Sequence, residues 1–112
     1  MMIDTTAVGD KVVRRFLSEK IDIIVSKFNP EKLILFGSRA WGKPTDESDI
    51  DLIIVSDFFK GQKFTGRMAQ FLKEVRFSEH IDAICYTPEE FDQKKRENNI
   101  VNKAAKNGIS II

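Results

Sequence analysis

The sequence predicts an α/β (α+β) fold: a small mixed β-sheet flanked by helices, in one domain covering residues 1–112. Three features carry that expectation. Two stretches space their apolar residues three or four apart, as one face of a helix requires. Three others are short, dense apolar runs of the kind that buried strands show, and Gly, Pro or Asn marks most of the junctions between them.

From Val12 to Phe28 the apolar positions Val13, Leu17, Ile21, Ile24 and Phe28, with Phe16 beside them, describe an amphipathic helix that Asn29-Pro30 stops. Lys32 to Phe36 then reads as a buried strand ending at Gly37. Residues 38–48 combine a helical turn with the polar loop Lys43-Pro44-Thr45-Asp46. Ile50 to Val55, rich in β-branched residues, is a second strand expected to pair with the first in either sense. Beyond a loop at Lys60-Gly61, Met68, Phe71, Leu72 and Val75 mark a second amphipathic helix, and Ile81 to Tyr86 a third strand. Thr87-Pro88-Glu89-Glu90 is a helix start, with Thr87 as N-cap, Pro88 at the first helical position and Glu90 placed to close a capping box. The helix it opens is uneven, so a break is expected near Asn98-Asn99, and Gly108 suits a C-terminal cap.

A chain that is 42% hydrophobic and 31% charged, with nine Phe, has the composition of a soluble globular protein and not of a disordered one. Its formal charge of +1 gives no reason to expect a protein that wraps a nucleic-acid duplex. Cys85, the only cysteine, excludes an intramolecular disulfide and a multi-cysteine zinc site, which fits a reducing compartment and a cytoplasmic location. The apolar runs Leu33 to Phe36 and Leu52 to Val55 fall far short of the roughly 18 residues of a membrane span. The N-terminus, with Asp4 and Asp10, lacks a signal-peptide core.

Within the second strand, alternation sends Asp49 and Asp51 to the same face with Cα atoms roughly 6.5–7 Å apart, close enough to share a cation. Such a pair alone is more often two solvated residues at a strand start. Asp82, which could be a plain edge-strand charge, changes the balance, because it stands between Ile81 and Ala83 as an acid inside an apolar run. If the strands are neighbours in register, it brings a third carboxylate to that face, and a hard divalent cation such as Mg²⁺ relieves the repulsion best. Asp57 is a poor ligand, roughly 20 Å along the strand from Asp51. Gly37-Ser38, a glycine turn at a strand end, can converge backbone N–H groups on a phosphate, although a plain structural turn is the commoner use of such a pair.

The stretch Gly37-Ser38-Arg39-Ala40-Trp41-Gly42, followed by Ser48-Asp49-Ile50-Asp51-Leu52, resembles the Gly-Ser, ten-residue, Asp-x-Asp signature of the DNA polymerase β-type nucleotidyltransferase superfamily. Ile81-Asp82-Ala83 resembles its third acidic strand. In length and in the tail Tyr86-Thr87-Pro88-Glu89-Glu90-Phe91 the chain is most similar to the minimal nucleotidyltransferases (MNT) of prokaryotes, often antitoxin partners of HEPN-domain proteins. The resemblance covers residues 10–108 and implies a polymerase β-like fold. It implies that Asp49 and Asp51 bind two Mg²⁺ ions, with Mn²⁺ as a substitute. Asp82 would bind the ion facing the acceptor hydroxyl and help to take its proton, and Gly37 and Ser38 would hold the β and γ phosphates of a nucleoside triphosphate. The implied reaction is in-line attack on the α-phosphorus with release of pyrophosphate, ATP being the favoured substrate. Trp41 departs from the pattern, standing where many relatives have arginine.

Arg39 could reach the triphosphate as a forked donor or form a structural salt bridge to an acid of the loop. Trp41 could stack on a base or a partner, or pack on the adjacent helix. His80 could relay protons but is more simply a surface residue, Lys43 is expected in solvent, and Cys85 in the core. Lys60, Lys63, Arg67, Lys73 and Arg76 form a basic run that is either a solvated face or an attraction for RNA or an acidic partner. The favoured function is AMP transfer from ATP to a hydroxyl of a HEPN-type toxin, the chain acting as its antitoxin. The alternatives are a stoichiometric antitoxin without turnover, or nucleotidyl transfer to a small molecule or RNA end across a homodimer cleft. Homo- or hetero-oligomers are both compatible.

Overall fold

A computed structural model describes residues 8–112; the reading of the first residues around Asp4 as lacking a signal core lies outside them. The chain runs α1 (Lys11–Phe28), β1 (Lys32–Phe36), α2 (Ser38–Trp41), β2 (Ile50–Val55), α3 (Phe64–Glu74), β3 (Ile81–Tyr86), α4 (Pro88–Lys94), α5 (Ile100–Asn107) and β4 (Ile109–Ser110), with a 3₁₀ turn at Asp57–Phe59. The strands form one sheet in the order β3-β2-β1-β4, in which β1 is antiparallel to β2 and β4, and β2 is parallel to β3. This is the expected mixed sheet flanked by helices.

Both faces of the sheet are covered, which is why its strands read as continuous apolar runs. On one face Leu33, Leu35, Leu52, Ile54, Ala83 and Cys85 pack with residues of α1 and α3, among them Phe16, Ile24 and Phe71. On the other, Ile34, Phe36, Ile53, Val55 and Tyr86 meet Phe91 of α4 and Val101 and Ala104 of α5. Each such side chain contributes roughly 1.5–3 kcal/mol on burial. The helix ends follow their local chemistry. Asp10 caps α1 by accepting from the Val13 N–H (3.0 Å), Asn29 closes it at φ 41°, and Thr87 with Glu90 forms the expected capping box on α4. The break in the last helix falls where expected, with Asn99 capping α5.

The structure departs from the expectations in two places. Met68 is 41% exposed, and the inward position of that turn of α3 belongs to Arg67, 4% exposed. Its guanidinium donates to the carbonyls of Cys85 (3.2 Å) and Gln62 (2.8 Å) and to the Glu90 carboxylate. Periodicity counts an arginine as polar and cannot see that it closes the edge of β3. Gly108 caps α5 as expected, its N–H donating to the Ala104 carbonyl (2.8 Å), but at φ −71° and not in the left-handed conformation. A Cβ there would meet the Ala104 carbonyl oxygen at 2.5 Å and Ile34 Cγ2 at 2.7 Å, so glycine lets the chain pass close over β1. The second departure, β4, has two residues and therefore no period to read.

The Arg67 hydrogen bond, foremost, holds the Glu90 carboxyl below the usual carboxylate range. Arg67→Ala leaves buried carbonyls and Glu90 without their donor. The expected loss is about 2–3 kcal/mol, read as a lower urea midpoint at unchanged slope. A midpoint equal to wild type would show that the guanidinium is dispensable.

Candidate active site

Because β1 runs against β2 and β2 runs with β3, the C-terminal end of β1 and the N-terminal ends of β2 and β3 meet at one edge of the sheet. There the register aligns Phe36 with Asp51 and Asp51 with Asp82. Alternation puts all three on the face that α4 and α5 cover farther along. Asp51 is half-buried and Asp82 exposed, because β3 is the sheet's edge strand. Of the two readings of Asp82, the buried acid gives way to the edge-strand charge, an open carboxylate reachable from solvent. Burial, then Asp82, then Asp49 push the Asp51 carboxyl above the usual range, with His80 acting the other way.

Gly37 stands directly over Asp51. Its φ is 77°, which strains any residue with a side chain, and a Cβ built on it would lie 2.2 Å from Asp51 Oδ2 and push that carboxylate aside. Ser38 opens α2, where Ala40 and Trp41 donate to the Gly37 carbonyl at 3.0 and 3.1 Å. The N–H groups of the first helical residues have no acceptor within such a short helix.

His80 is the surface residue at a strand start that the sequence favours, and only its partner is new. His80 Nδ1 donates to Asp49 Oδ1 at 2.9 Å. The parallel register of Ile50 with Ile81 sets residue 80 opposite residue 49, a signal visible only once the strands are paired. Beside His80 opens a cleft of about 530 Å³ lined by Leu72, Val75, Arg76, Phe77 and Ile81.

Arg39 is not brought to this edge. It is 7% exposed and its nitrogens reach Asp10 (3.0 Å), the Ser48 carbonyl (3.0 Å) and the Thr45 carbonyl (3.3 Å). It forms a structural salt bridge, to the α1 cap and not to a loop acid, and so ties the loop before Asp49 to the start of α1. Trp41 is 37% exposed, its ring centroid 6.4 Å from that of Phe36 and 5.0 Å from Lys103 Nζ. The basic run is thinner than it reads: Arg67 is internal, and Lys60 pairs with Asp57 (3.1 Å) and Glu89 (3.4 Å). Cys85 is a core residue whose thiol burial pushes up to about 12.

Among the described residues no group of three or more His, Cys, Asp or Glu side chains is placed to hold a metal ion by itself. The donor set nevertheless fits Mg²⁺, which is commonly held by one or two carboxylates together with substrate phosphates and water. Asp51 and Asp82 supply hard oxygens side by side, with Asp49 adjacent and one of its oxygens on His80. Among the described residues no helix is long and apolar enough to cross a membrane.

The comparisons agree with this geometry. A family model for the nucleotidyltransferase domain matches residues 17–107, and the chain belongs to that family. A solved structure of a candidate nucleotidyltransferase from Sulfolobus solfataricus is 27% identical over 80% of this chain and 82% of its own, with a TM-score of 0.58. A second candidate nucleotidyltransferase structure is 26% identical over 71% of this chain and 87% of its own, with a TM-score of 0.51. BolA1 from Arabidopsis thaliana shares the fold alone, at 21% identity over 67% of this chain and 94% of its own, with a TM-score of 0.54. No curated protein matches.

A raised carboxyl pKa in the fold means that Asp51 binds its proton more tightly folded than unfolded. Stability without divalent cations should therefore fall as pH rises from the unfolded value of 3.8 through the folded one, and the penalty then stays constant to neutral pH. Asp51→Asn should remove that penalty. At pH 7 in EDTA it is expected to raise stability by about 0.2–1 kcal/mol, the range for like charges directly opposed in a sheet. It should also lose most of the thermal stabilisation that Mg²⁺ gives wild type. A destabilised Asn variant in EDTA would contradict the assigned repulsion.

Proposed function

We propose that the chain is a divalent-cation-dependent nucleotidyltransferase that moves AMP from ATP to a hydroxyl of a partner protein, and that this partner is a HEPN-domain toxin it restrains. The observation that carries the reading is the pairing of Asp51 with Asp82 beneath Gly37, inside the span that matches the nucleotidyltransferase domain. The acceptor rests on the likeness of Tyr86-Thr87-Pro88-Glu89-Glu90-Phe91 to minimal nucleotidyltransferases, and the cleft beside His80 supports an approach from outside the fold.

Mg²⁺ or Mn²⁺ held by Asp49, Asp51 and Asp82 would neutralise triphosphate charge and polarise the reacting phosphoryl group. The chain's own residues do the rest. Gly37 leaves its backbone open to the β and γ phosphates, and Ser38 adds its hydroxyl and the opening N–H groups of α2. Asp82, the exposed carboxylate, accepts the proton of the acceptor hydroxyl. That oxygen forms a bond to the α-phosphorus as the bond to the β-phosphate oxygen breaks and pyrophosphate leaves.

Incubating the chain with ATP, Mg²⁺ and a purified HEPN partner, then weighing both proteins intact, tests the reading. The partner should gain one or more AMP units, and Asp82→Asn should cut the rate at least about a hundredfold while leaving ATP affinity near wild type. A partner that is bound and silenced with unchanged mass would replace this reading with stoichiometric inhibition. Modification of RNA or a small molecule in its place would move the acceptor.

A further inference from the structure

The carboxylate edge has a counterpart of opposite sign on α5. Val101 and Ala104 of α5 belong to the same core as Phe36, the residue whose neighbour in the register is Asp51. Between them in the helix, Lys103 sends its ammonium 5.0 Å over the ring of Trp41, which itself lies against Phe36. Lys103 makes no ion pair among the described residues.

A nucleoside triphosphate brings several negative charges to an edge that already carries three carboxylates, so beyond the divalent cation a protein cation beside it strengthens binding. Arg39 is committed to Asp10 and to loop carbonyls. Lys103 is exposed, sits on a flexible stem and is held only by an indole face. At an exposed site such a contact is weaker than a charge-assisted hydrogen bond to phosphate, so the ammonium moves to phosphate when one is in reach.

We propose that Lys103 is a phosphate-binding residue of this site, its ammonium passing from the Trp41 ring to the outer phosphates of a nucleoside triphosphate and uncovering the indole. The inference rests on the nucleotidyltransferase reading and adds to it a residue outside the Gly-Ser and acidic motifs. It also gives Trp41 a role: a resting place for the cation.

Trp41 is the only tryptophan, so its fluorescence reports the event without any turnover. Wild type titrated with tripolyphosphate, and separately with ATP, each with Mg²⁺, should show a saturable change in Trp41 emission. In Lys103→Ala that change should vanish and affinity for both probes, measured by calorimetry, should fall roughly tenfold or more. Lys103→Arg should restore most of the affinity. Circular dichroism of both variants checks that α5 is intact, as expected for alanine on an exposed helical face. Equal ATP affinity in wild type and Lys103→Ala would overturn this inference and leave the nucleotidyltransferase reading standing. A wild type that binds neither probe would overturn both.

Discussion

Repulsion between Asp51 and Asp82 is the constraint around which the molecule is arranged. The parallel register of β2 and β3 sets the two residues opposite each other, and a sheet gains nothing structurally from like charges in that position. Partial burial raises the Asp51 carboxyl, and the proximity of Asp82 raises it further. A shift of register by one residue would relieve the strain. It would also turn Asp51 into the core under α1 and α3 and repack both faces of β2, so the two cores hold the carboxylates together against their own field.

The surroundings of that pair are fitted to the same end. Gly37 gives up a side chain so that the β1–α2 turn can lie on Asp51, and its positive φ favours glycine. Arg39, one residue beyond Ser38, is drawn inward to Asp10 and to the carbonyls of Thr45 and Ser48, which fixes the loop delivering Asp49. Arg67 does a comparable task on the far side, closing the edge of β3 through the Cys85 carbonyl while leaving Asp82 open. Two buried guanidiniums thus hold the scaffold, and exposed side chains are left for chemistry.

Much of this was legible in the sequence. The three strands, α1, the capping box at Thr87 and the break before α5 all follow from apolar spacing and turn chemistry, and those signals are local. Gly37, Asp49, Asp51 and Asp82 were singled out by spacing, and the structure gathers them at one edge. What escaped depends on contacts between distant segments. His80 meets Asp49 only through the β2–β3 register, and Arg39 meets Asp10 across the start of α1. Arg67 takes the place that apolar periodicity assigned to Met68 because its charge is satisfied by carbonyls and Glu90. The exposure of Asp82 follows from strand order, so the sequence offered an edge-strand charge only as one of two readings.

The central claim is that this sheet edge is a cation site completed by phosphate. Electron paramagnetic resonance of Mn²⁺ titrated into the protein, with and without a non-hydrolysable ATP analogue, tests it directly. The account predicts weak Mn²⁺ uptake by the protein alone, tighter uptake by protein and analogue together than by the analogue by itself, and loss of both in Asp51→Asn. Mn²⁺ uptake indifferent to the protein, or unchanged in Asp51→Asn, would contradict it.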